Sequence, residues 1–327
     1  AVTTASDNTA VGSNAGGSTT TGTQNVAVGN LALDANTTGS HGIAIGYGAL
    51  GANTTANYNV AIGRNSMAAN TTGAKNVIVG GEAGTAITTG EFNVGLGYGA
   101  LSSSTTASLL TALGTNALRD NTSGANNTAV GQGALLVNTT GSGNTSLGRT
   151  ALAANTTASN NTAVGYLSLT ANTTGANNVA VGQSAQAATT TGNDNVGIGR
   201  QALDANTTGG ANVAVGSDAL GANTTASNNT ALGYQALIAN TTGAQNTAVG
   251  ASAGVALTTG GSNVAVGFEA LKNEDAHGLN TAIGTQALFS LNAGANAYNV
   301  GVGYQAGAAV TTGTVNTLIG GLSGDAL

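Results

Sequence analysis

The chain has 327 residues, of which 53 are glycine and only 6% are charged, with no proline, cysteine or tryptophan and a formal net charge of -6. This composition excludes a disulfide-stapled domain, a thiolate metal site and a basic surface for nucleic acid or anionic membrane. No apolar run approaches the ~20 residues of a bilayer-spanning helix, and the fixed placement of Val, Ile, Leu and Thr argues against disorder.

The order is an internal repeat. A glycine closes each Asn-x-Ala-Val-Gly-like pentad from Gly12, Gly29 and Gly46 through to Gly303 and Gly320. Successive register glycines stand 17 residues apart, except for 19 between Gly284 and Gly303. The copies leave no room for a linker or second domain, which predicts one continuous repeat domain over 1–327 with irregular rungs at about 268–302. A unit this short cannot bury its own apolar residues, so copies must stack. The fold class expected is therefore all-β: a parallel β-solenoid (β-roll) of about 19 rungs, one 17-residue repeat per coil.

Taken in chain order, each repeat begins with a short strand. The residue before the register glycine is Val, Ile or Leu throughout, as in Val164 and Val249, and the residue two places earlier is Val, Ile or Thr. Alternation of this kind marks a strand with one buried face, about five residues long. The apolar pair is expected to point inward. The small residue between them, as in Ala129, Ala163 and Ala231, is then expected on a flat outer face suited to lateral association.

After the glycine comes a second apolar stretch, with Ala or Ser at the third place and mostly Leu at the fourth, as in Leu33 and Leu237. Asn-Thr-Thr-Gly follows, as in Asn36–Gly39, whose Asn and Gly suit a left-handed corner. A second asparagine column lies four residues before the register glycine, as at Asn25 and Asn161. Stacking turns both columns into ladders of side-chain amides. The Asn-Thr-Thr triplets also match the N-glycosylation sequon, but corners only ~4.8 Å apart favour a structural ladder.

Substitutions among the copies point to a shared pocket. Where Leu gives way to Gly84, Gly254 or Gly307, the corner Asn three residues later becomes Ile87, Leu257 or Val310. Gly16 and Gln186 likewise travel with Thr19 and Thr189. Both positions reach one space, and either fills it.

Chemistry is sparse. Gly46–Gly51 matches a dinucleotide fingerprint, yet no helix can follow it within a 17-residue repeat. Only His41 and His277 are available as imidazoles, and both read as exposed corner residues. No catalytic, cofactor-binding or metal-binding set can be assembled, so no enzyme and no cofactor is expected. Two groups remain as candidate surface contacts. One is the variable place just after the register glycine, where Tyr47, Tyr98, Tyr166, Tyr234, Phe268 and Tyr304 alternate with Arg64, Arg149 and Arg200; exposed rings of this kind can stack on sugars. The other is Lys272, Glu274, Asp275 and His277, which coincides with loss of an Asn-Thr-Thr corner and precedes the two-residue insertion near Ala297 and Tyr298. This segment reads as a protruding loop.

The segment Asn229-Thr230-Ala231-Leu232-Gly233-Tyr234-Gln235-Ala236-Leu237 resembles the head repeats of trimeric autotransporter adhesins of the YadA type, and related repeats of phage tail fibres. The likeness covers essentially the whole chain, although the family unit is typically shorter. It implies a left-handed coil, a homotrimer, and an extracellular, cell-surface or virion-fibre setting with host matrix proteins or glycans as partners. The function expected is a non-enzymatic fibre or adhesin shaft that self-associates, without nucleic acid and without membrane insertion. A carbohydrate- or surface-binding module using the Tyr/Arg column is the alternative. An ice-binding solenoid is the weaker one, because paired threonines such as Thr54 and Thr55 would face opposite ways. The repeat pattern runs through both ends of the sequence, which gives a further expectation of head-to-tail stacking or of a segment of a longer fibre.

Overall fold

The computed structural model describes residues 4–325. The outermost residues of the end-to-end expectation, 1–3 and 326–327, lie outside the described residues. The chain falls into two compact units, Ala1–Asn161 and Thr162–Leu327. Both are all-β solenoids, and no helix occurs among the described residues.

The first unit holds nine strands, from β1 (Thr9–Val11) to β9 (Thr145–Leu147), and the second holds ten, from β10 (Thr162–Val164) to β19 (Thr317–Ile319). Each is three residues long rather than five. Within a unit consecutive strands pair in parallel with every column in register, so that Val26 faces Ile43, Ala27 faces Ala44 and Val28 faces Ile45. The ladder extends beyond the strands: Leu33 N–H donates to Ala49 O at 3.0 Å, and Gly46 N–H to Val28 O at 2.8 Å. Nearly every residue thus meets its equivalent one coil away, which is how so short a repeat satisfies its backbone.

The two faces of the strand are the reverse of the sequence expectation. Ala129, Ala163 and Ala231 are fully buried, while Val164 and Val249 are only half-buried and point outward. Alternation identifies two faces but not which one is inside. What decides is the width of the coil, because the facing wall already contributes buried Ala and Leu, such as Ala32 and Leu33. A strand packed against that Leu row has space only for Ala, Gly or Ser. Bulk returns where the Leu is missing: Ile78 packs toward Gly84, and Leu318 toward Gly307.

The shared pocket is present as expected. A Cβ on Gly84 would stand 2.9 Å from Ile87 Cδ1, and one on Gly254 would stand 3.0 Å from Leu257 Cδ1. The corner residue therefore occupies the space of the absent leucine.

Corner geometry also departs from expectation. Neither Asn36 nor Gly39 has positive φ. The left-handed residues lie five before the register glycine and two and four after it, as in Gln24 (φ 59°), Leu31 (58°) and Leu33 (54°). Leucine there costs about 1–2 kcal/mol of backbone strain, which at Leu33 the full burial of its side chain offsets. Gly39 is needed for closeness instead, since a Cβ would lie 2.5 Å from Ala56 O in the next coil. The register glycines need both features: Gly46 has φ +131°, and a Cβ there would lie 2.5 Å from Gly63 O.

Both asparagine ladders form and are buried. In the corner column Asn53 Nδ2 donates to Asn36 Oδ1 at 3.0 Å, and Asn36 Nδ2 to Gly39 O at 3.0 Å. In the second column Asn59 Nδ2 donates to Gly73 O at 2.8 Å, and Asn59 Oδ1 accepts from Asn76 N–H at 3.0 Å. The sequon asparagines are thus inside the coil, committed to its hydrogen bonds.

Candidate functional site

On the strand side of each rung four positions face outward: five, three and one residue before the register glycine, and one after it. The middle two form an apolar stripe, with Val77 42%, Val94 40% and Leu96 51% exposed in the first unit and Val213 36% and Leu232 46% in the second. Those two columns contain only Val, Ile, Leu and Thr and carry no charge.

One flank is the column after the register glycine. Tyr47, Tyr98, Tyr166, Tyr234, Phe268 and Tyr304 are all exposed. Two arginines of this column are braced across rungs: Arg64 pairs with Glu82, and Arg200 with Asp218 at 2.8 Å.

The other flank, five residues before the glycine, went unnoticed in the sequence. It carries exposed Tyr58, Phe92, Leu109 and Tyr298. His41 stacks on Tyr58 with ring centroids 4.6 Å apart, and Lys75 Nζ sits 4.8 Å from the Phe92 centroid, so four successive rungs of the first unit form an aromatic and cationic row. The available signal was position rather than composition, since elsewhere in this column stand Gln24, Asn126 and Ala211.

The segment 272–277 is only partly a surface loop. Asp275 is exposed and Lys272 is half-buried, its Nζ donating to Glu269 Oε1 at 2.6 Å. This bond and one from Gln286 hold the Glu269 carboxyl below its usual range. Glu274, expected as a surface contact, is instead fully buried because it occupies the corner asparagine column. His277 is half-buried, with Nδ1 turned toward Glu274 rather than toward solvent.

Two further ionisable groups are shifted by their surroundings. Arg119 donates two hydrogen bonds to Asp120, which raise its already high pKa. Burial raises the Asp204 carboxyl, against a hydrogen bond from Gln201. No family model matches the chain, and no curated relative matches it.

Proposed function

We propose that this chain is a non-enzymatic structural protein of a surface or virion fibre, and that copies associate laterally through the outward Val/Ile/Leu/Thr stripe. The observation that carries this reading is an outward face built of Val, Ile, Leu and Thr alone, without a charge or an amide in any rung. Soluble monomers seldom leave contiguous apolar patches beyond a few hundred Å². With half of the stripe residues of the first unit exposed and half partly buried, its nine rungs offer on the order of several hundred to 1,000 Å², the scale of the ~800 Å² per partner of a specific interface. A second copy is the occupant that fits best, because it presents the same flat ridges at the same rung spacing. The lateral face is thus the opposite of the alanine face expected from sequence, where lysine substitution would strike the core.

The test is Val77→Lys, Val94→Lys and Leu96→Lys together, followed by light scattering and circular dichroism. The variant should have the mass of a single chain with an unchanged spectrum, while the parent is multimeric. A monomeric parent, or a folded variant of undiminished mass, refutes the proposal.

A second reading rests on the flanking rows. The aromatic faces of His41, Tyr58, Tyr47 and Tyr98 suit stacking on sugar rings, and a glycan array with the parent and Tyr98→Ala tests it. Binding lost in the variant supports this reading, and no retained glycan refutes it.

A further inference from the structure

One corner of the second unit is built differently from the rest. Seven residues after the register glycine, the described chain carries Asn, Thr, Ser, Ile, Leu or Val, with the single exception of Glu274. An asparagine there donates to the carbonyl three residues on, as Asn240 Nδ2 does to Gly243 O at 2.9 Å. A carboxylate cannot donate, and the local polarity reverses. Glu274 Oε1 accepts the His277 N–H at 3.2 Å, and Oε2 accepts the Ala293 N–H at 3.1 Å. Its neighbours in the column are Leu257 and Leu291, and all three side chains are fully buried.

Beyond these two backbone donors, a buried carboxyl group leaves lone pairs that a nearby cation can take up. Lys272 is committed to Glu269. The group that does face Glu274 is His277, whose Nδ1 lies 3.4 Å from Oε1, is shielded from solvent and makes no hydrogen bond. Asp275 completes the cluster: one donor atom from each of Glu274, Asp275 and His277 lies within 4.8 Å of the others. The backbone is held in place as well, since Asp275 O accepts from Thr258 Oγ1 at 2.9 Å.

We propose that Glu274, Asp275 and His277 bind a divalent cation of the Zn²⁺ class, which clips together a corner where the amide ladder is interrupted. An imidazole with two carboxylates suits Zn²⁺ and its transition-metal neighbours, whereas Ca²⁺ and Mg²⁺ favour oxygen alone. At bond lengths of about 2.0–2.2 Å, donors around one ion stand roughly 3–4 Å apart, a spacing that rotation of the exposed Asp275 side chain brings within reach. Glu274 supplies the buried anchor, His277 the nitrogen donor, and Asp275 the solvent-facing ligand through which the ion enters. Water fills the remaining positions.

The experiment is calorimetric titration of the full chain with ZnCl₂, with CaCl₂ as the comparison. The chain has two histidines and no cysteine, so background sites are few. One equivalent of Zn²⁺ should bind more tightly than Ca²⁺ and raise the thermal unfolding midpoint. His277→Ala and Asp275→Asn should each weaken binding by at least about tenfold, and His41→Ala should leave it unchanged. Asp275 is exposed, so its variant keeps the corner and isolates the ligand effect. Absence of Zn²⁺ binding at millimolar metal, or equal affinity in folded His277→Ala and parent, overturns the proposal and leaves Glu274 and His277 as a simple pair.

Discussion

The pocket shared by the fourth and seventh places after the register glycine can be tested at one rung with Leu237 and Asn240. Leu237 is fully buried with φ 54°. Leu237→Gly removes its side chain at a cost of about 2–5 kcal/mol, less about 1 kcal/mol of relieved left-handed strain. Asn240→Leu alone places a second branched side chain in an occupied space, a cost of about 1–3 kcal/mol. It also removes the bonds to Asn223 Oδ1 at 3.1 Å and Gly243 O at 2.9 Å, which adds about 1–3 kcal/mol. The double variant recreates the pair found at Gly254 and Leu257, filling the cavity and relieving the overlap. Only the lost amide bonds remain, and Gly243 O keeps a donor in Asn229 Nδ2. The cycle should therefore show favourable coupling of about 3 kcal/mol or more, the sum of the cavity and overlap costs. Because a long repeat array does not unfold in two states, the assay is native-state hydrogen exchange of amides in 230–246. Costs that add to within about 0.5 kcal/mol would refute the shared pocket.

Gly233→Ala should destabilise its rung strongly, because φ is +142° and the new Cβ would stand 2.5 Å from Gly250 O; exchange protection around 230–233 and 247–250 should fall, and a neutral outcome would contradict the close-approach argument. Asp204 titrates above its usual range because of burial, so its stabilising contribution is present below the ordinary Asp range and is lost as pH rises through the elevated folded value. Asp204→Asn should therefore stabilise the fold at neutral pH and flatten the pH dependence across the weakly acidic range, a result checked by thermal unfolding from pH 3 to 7.

The period, the parallel stacking, both amide ladders and the pocket compensation were legible because each is a relation between columns, and the repeats supply many copies of each column. The inside and the outside of the strand were not legible from alternation alone. The information lay one column further away: Ile78 and Leu318 are large where Gly84 and Gly307 are small, a pairing that places the middle strand residue opposite the leucine row. Turn propensity misassigned the left-handed residues, because packing of Leu33 and its equivalents overrides the local preference for Asn or Gly. Among the candidate contacts, the aromatic row after the register glycine was found by its recurrence. Tyr58 and Phe92 were missed because their column is otherwise heterogeneous, and the burial of Glu274 follows only from its place in the asparagine column.

The copies within the chain also bear on why the outer stripe is apolar. The outward places five before and one after the register glycine drift freely among aromatic, charged, amide and small residues, as solvent-exposed positions do. The two places between them also face outward, half-buried in most rungs and exposed in the rest, but never carry a charge or an amide. Packing within one coil does not explain this, because these side chains point away from it. Strand propensity explains it in part, since β-branched residues favour extended backbone. That preference would admit threonine equally at both places. Threonine recurs at the first, as in Thr111, Thr162 and Thr247, yet never occurs at the second, which is Val, Ile or Leu in every copy. The difference is what an interface with a dry seam and a more tolerant margin requires. It predicts that Leu232→Thr weakens lateral association of the folded chain more than Thr230→Val changes it, as read by the concentration dependence of scattering mass. Equal effects at the two columns would leave strand propensity as the sufficient cause.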